Sequence, residues 1–172
     1  RLALYDLPTM QTVTRNRLRR FLQDRGFGYL QNSVWVTPHP VERERDLMAE
    51  EAIDVEAFIL IEGRPAAGET HEQIVAGAWN FGAINRAYVL HRDLLARRPR
   101  GLLRTAAQSE AFRRWLAEER MAWQHAMDLD PLLPRELLPT DYQGREAWRQ
   151  RLRVMAQASV QLRAFNPPAL AT

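Results

Sequence analysis

The sequence predicts an α+β protein in two parts, a small antiparallel sheet with two helices over residues 1–66 and an all-helical part over residues 67–172. Three observations predict it. Residues Val55 to Glu62 alternate with a period of two, as a strand does. The periods before Gly68 run strand, helix, strand, strand, helix, strand, and beyond Gly68 only the helical period continues.

Leu2-Ala3-Leu4-Tyr5 is a short strand ended by Asp6-Leu7-Pro8. A helix is expected from about Thr9 to Arg25, with Val13, Leu18, Phe21 and Leu22 as its apolar stripe and Arg15, Arg19 and Arg20 outward. Gly26 suits the left-handed position that closes such a helix. Phe27–Leu30 and Ser33–Thr37 read as two strands joined at Gln31-Asn32. Pro40 fits the first position of a helix reaching about Ile53. The Val55–Glu62 strand, with Val55, Ala57, Ile59 and Ile61 on one face, completes a β-α-β-β-α-β order. That order is the ferredoxin-like arrangement, whose second sheet face is a natural surface for a homodimer.

In the second part, Thr70-His71-Glu72-Gln73 is a capping box. Helices are expected through Trp79, from about Ala83 to Arg97, and from near Ser109 with Phe112, Trp115, Leu116, Trp123 and Met127 on one face. A proline-punctuated stretch from Leu129 to Thr140 leads to a last helix, about Gly144 to Arg163, with Trp148, Leu152, Met155 and Ala156 inward. Asn166-Pro167-Pro168 ends the order.

At 172 residues with 46% hydrophobic and 26% charged residues, the chain is a globular protein with a real core. Apolar runs such as Phe58-Ile59-Leu60-Ile61 are far too short for a transmembrane helix, and no membrane partner is expected. The chain has no cysteine, which excludes disulfides and thiolate metal sites and makes a cytoplasmic setting the default. All 24 basic residues are arginine. Arginine suits phosphate contacts, although a GC-rich coding sequence explains the absence of lysine more simply.

Chemistry-bearing patterns are few. Asp6 ends the first strand, where a carboxylate doubled across a two-fold axis could hold a divalent metal or simply cap the following turn. Arg15, Arg17, Arg19 and Arg20 could track a phosphate backbone or form a solvated helix face. His39, His71, His91 and His125 show no metal-ligand spacing. Glu119 falls inside an apolar stripe, so it either pairs with an arginine of a neighbouring helix or lines a pocket. No nucleophile elbow, phosphate loop or dinucleotide fingerprint is present, so neither catalytic residues nor a cofactor are expected.

The strand ending in Tyr5-Asp6, the arginine-rich helix and the following Ser33-Val34 resemble the CRISPR-adaptation endonucleases of ferredoxin-like fold. That likeness implies a metal-dependent nuclease using Asp6.

Two longer stretches, Gly26 to Pro38 (GFGYLQNSVWVTP) and Asp130 to Pro139 (DPLLPRELLP) continuing to Asp141-Tyr142-Gln143-Gly144, together with Ala78-Trp79, resemble the PaaX family of regulators of phenylacetate and related aromatic catabolism. This likeness covers nearly the whole chain. It implies a non-enzymatic repressor with a winged-helix DNA-binding domain first, then a ferredoxin-like domain, then a helical one. The chain, opening at Arg1 on the strand of the second part, is expected to lack that head. The likeness further implies an aryl-acyl-CoA effector such as phenylacetyl-CoA, with Trp115, Glu119, Trp123, His125 and Tyr142 as candidate effector-binding residues. The prolines of the Asp130–Pro139 run stiffen it into a strap, expected to anchor by its leucines against Trp115, Trp123 and Trp148. The sequence departs from the family pattern at Tyr142, where tryptophan is usual, and at Met121, Gln124 and His125, where a histidine and an arginine pair are common.

Overall fold

The structure, a computed structural model, describes residues 1–7, 11–53, 55, 57–66 and 68–165. It divides into two compact units, residues 1–80 with 131–139, and residues 81–130 with 140–172. The expected helix start at Thr9 and the Asn166-Pro167-Pro168 terminus lie outside the described residues.

The first unit carries β1 (Leu2–Asp6), α1 (Thr12–Asp24), β2 (Gly28–Gln31), β3 (Val34–Val36), α2 (Glu44–Glu50), β4 (Ala57–Ile61) and α3 (His71–Ala78). The strands pair antiparallel in the order β2-β3-β1-β4, which is the ferredoxin-like sheet. Ala3 faces Trp35 and Leu60 across the strands, and Tyr5 faces Phe58. These side chains pack against Leu18, Phe21 and Leu22 of α1 and Met48 of α2 to form the core. Leu2, Leu4, Val34, Val36, Ile59 and Ile61 occupy the opposite face, in register with one another. Ile59 is 55% exposed and Ile61 45%, so an aliphatic surface stands partly open there.

Local chemistry explains where the elements stop. Gly26 sits at φ +75° after α1, with its N–H on the Gln23 carbonyl and the Phe27 N–H on that of Leu22, a Schellman closure as expected. Ala52, at φ +52°, closes α2 in the same way without glycine. Two expectations need correction. Val13 is 74% exposed, because it precedes Leu18 by five residues and so points about 140° away from the buried stripe at 3.6 residues per turn. The helix expected from Pro40 begins only at Glu44; the His39 N–H bonds to the Thr37 hydroxyl and turns the chain first.

The second unit packs α4 (Phe81–Ala96), α5 (Ala106–Leu129) and α6 (Gly144–Phe165), α4 touching both of the others. Thr70 caps α3 by the expected reciprocal box with Gln73, and Thr105 caps α5 likewise with Gln108. Met155 faces the core as expected, but the rest of the inward face of α6 is rotated one residue from expectation. Ala147 and Ala158 are buried, whereas Trp148 is 46% and Leu152 52% exposed. Small side chains let α6 approach closely, and this rotation also turns Arg151 toward a buried partner on α5. The strap is corrected too: residues 131–139 cluster with the first unit, where their single 3₁₀ turn (Arg135–Leu137) packs on α3.

Among the described residues no helix is long and apolar enough to cross a membrane.

Candidate functional site

The expected effector residues all lie in the second unit, and three of them share one polar core. Glu119, 2% exposed, accepts from Arg151 Nε at 2.7 Å and lies 2.9 Å from His91 Nε2. It therefore pairs with a neighbouring helix, one of the two roles its position in an apolar stripe allows. Burial alone would raise its carboxyl pKa, yet the hydrogen bonds from His91 and Arg151 outweigh that and hold it below the ordinary 4.5. Trp123 sits half-buried beside this group, its ring 5.0 Å from His91, 5.4 Å from Trp148 and 4.9 Å below the Arg151 guanidinium.

Tyr142 joins through Asp130. The hydroxyls of Tyr88 and Tyr142 both donate to Asp130 Oδ2, the first at 2.5 Å. Burial, then the carboxylate they serve, pushes both phenols above their ordinary range. Gly144 makes this possible: a Cβ there would stand 2.1 Å from the Tyr142 hydroxyl. The ring thus lies folded over the start of α6.

Trp115 and His125 stand apart. Trp115 is 4% exposed, gives its indole N–H to the Leu94 carbonyl at 3.0 Å, and packs with Phe112, Leu95, Leu103 and Ala158. His125 lies on the exposed side of α5. His91, Tyr88 and Arg151 were missed by the sequence reading. His91 and Tyr88 could have been found by the signal that marked Glu119, since both lie on the apolar stripe of α4 with Ile84 and Leu95.

The basic face of α1 is largely engaged within the unit. Arg15 donates to the Leu7 carbonyl at 2.8 Å, Arg17 to that of Glu51, and Arg19 lies 6.0 Å over the Tyr29 ring. Asp6 is exposed at the end of β1, opposite Ala57. No three His, Asp or Glu side chains are grouped to hold a metal among the described residues.

The first unit also holds a cleft of about 270 Å³, and it gathers the segments that sequence reasoning singled out. Leu30, Val36 and Pro38 come from the first motif stretch, Trp79 follows α3, and Leu137 comes from the strap. Trp79 presses on β2 so closely that a Cβ on Gly28 would meet its ring at 2.5 Å. Arg64 and His71 stand at the rim, with Arg1, whose guanidinium is held by the Pro38 carbonyl at 2.8 Å and Glu62 at 3.3 Å.

Comparison with known proteins matches two family descriptions in series. The PaaX protein central Cas2-like domain matches residues 1–75, and the PaaX-like protein C-terminal domain matches residues 79–164. No curated protein matches. Among solved structures, the uncharacterised protein Rv0674 from Mycobacterium tuberculosis is similar at TM-score 0.65 and 18% identity, over 93% of this chain. The chain spans 60% of that protein's length.

Proposed function

Since the chain belongs to the PaaX family, whose members are transcriptional regulators, we propose that it is the dimerising, effector-sensing portion of a cytoplasmic repressor of aromatic-acid catabolism. In this reading it binds an aryl-acyl-CoA such as phenylacetyl-CoA and performs no catalysis. The observation that carries the proposal is the succession of the two family domains along one chain, covering residues 1–164 but for a three-residue gap. Operator contact falls to a winged-helix domain of the whole protein. The open aliphatic face of the sheet, with Leu4, Ile59 and Ile61, supports self-association, because a contiguous apolar patch of this kind is commonly an interface. Polar groups that could serve chemistry, Glu119 and Asp130 among them, are occupied in pairing that holds helices together.

Calorimetric titration with a panel of aryl-CoA thioesters tests the proposal. Saturable heat and a thermal shift with at least one of them is the expected result. No heat and no shift with any member removes the effector assignment.

A further inference from the structure

We infer that the cleft of the first unit, between the β2 and β3 side of the sheet, α3 and the strap, is a binding site for a small apolar group carried on an anion. The inference rests on the effector-sensing reading above and places its ligand. Three things argue for it.

The first is the lining. Leu2, Leu30, Val36, Ile74, Trp79 and Leu137 form an almost wholly apolar wall around about 270 Å³. Drug-sized ligands occupy sites of roughly 300 Å³ and upward, so this cleft takes a single ring or a short branched chain.

The second is charge. Arg64 and His71 stand at its mouth, and Arg64 makes no ion pair among the described residues. Arg1 is held by Glu62 and is a lesser contributor. An apolar wall under the Arg64 guanidinium, with the His71 ring as a further hydrogen-bonding group, complements a ligand with a ring at one end and a carboxylate, or phosphates beyond a thioester, at the other.

The third is construction. Gly28 and Trp79 interlock, and Leu137 is brought in by a proline-stiffened segment, so three separate stretches of chain converge on one surface. Such a wall is set before a ligand arrives, which lowers the cost of binding.

The test uses the full chain and four probes: phenylacetate, its neutral amide, phenylacetyl-CoA and free CoA. Tryptophan emission and calorimetry report binding. Phenylacetate and phenylacetyl-CoA are expected to bind, and Ile74→Trp, which fills the cleft, should weaken both by about tenfold or more. Arg64→Glu, at an exposed position, should weaken the two anions by about tenfold while leaving the amide unchanged. If phenylacetate binds in this way and the thioester does not, the cleft stands and the thioester reading falls. If the thioester binds equally to Ile74→Trp and Arg64→Glu but is lost in Trp123→Ala, the reading stands and the cleft is overturned. If Ile74→Trp splits an oligomer without changing probe binding, the cleft is a protein contact and the inference is overturned. Failure of every probe on the unaltered chain overturns both.

Discussion

Trp79 lies across Gly28 with no room between them, a hypothetical Cβ at Gly28 meeting the indole at 2.5 Å and the Ala78 methyl at 2.8 Å. Glycine at this strand position is there for close approach rather than for an unusual backbone angle. Gly28→Ala should therefore cost about 1–3 kcal/mol, the usual cost of overpacking. Urea melts followed by tryptophan emission would measure it. Gly101→Ala is the contrast, since nothing stands within 4 Å of its Cβ and its cost is confined to the φ of +90°.

Breaking the buried pair in the second unit should be among the most damaging single changes. Glu119→Ala leaves Arg151 and His91 facing an empty site and should cost about 3–5 kcal/mol. Adding Arg151→Met should recover part of that loss, so the double-mutant cycle returns a coupling of about 0.5–3 kcal/mol.

Glu119 also gives the protein an acid limb. Its folded pKa lies below the unfolded value near 4.5. As pH falls, the unfolded chain takes up this proton before the folded one does. The stabilisation is thus complete above about pH 4.5 and is lost as pH drops through the folded value. Chemical denaturation from pH 7 to 3 should show this decline in the unaltered protein and a shallower one in Glu119→Gln.

Tyr142→Phe removes one of two hydroxyls serving Asp130 and should cost about 1.5–3 kcal/mol, as expected for a hydrogen bond to a charged group. Gly144→Ala should abolish the same bond by displacing the ring, so the two substitutions together should cost less than their sum. Thermal melts of the three variants decide it.

Ile59→Glu places a charge on the open sheet face without touching the core, since Ile59 is 55% exposed. The protein should stay folded by circular dichroism and, in the self-association proposed above, run as a monomer by light scattering where the unaltered chain runs as a dimer. An unchanged mass would remove this face as the proposed interface.

The sheet unit was largely readable in advance because its signals are local. Period-two alternation, Gly26 at a helix end and the Thr70–Gln73 box each act over a few residues. The helical unit was read less well, since α6 presents two adjacent stripes and the larger side chains occupy the outer one. Trp148 and Leu152 look like core positions by size, yet the inward face is chosen by where Ala147 and Ala158 allow contact and where Arg151 can meet Glu119. That partner is 32 residues away, and no window along the chain contains the decision. The cleft was invisible for the same reason: Leu30, Trp79 and Leu137 are neighbours only after folding.

The strap has a consequence for anyone who wishes to take the molecule apart. Residues 131–139 complete the first unit although the chain on either side belongs to the second. No single cut therefore separates the two. A fragment ending at Asn80 forfeits Leu137 and the floor it supplies under α3, while one beginning at Phe81 carries a proline-rich loop whose leucines have lost their seat. The two halves have separate cores but interlaced wiring, since the chain leaves the second unit at Pro131 to finish the first and returns to the second at Thr140.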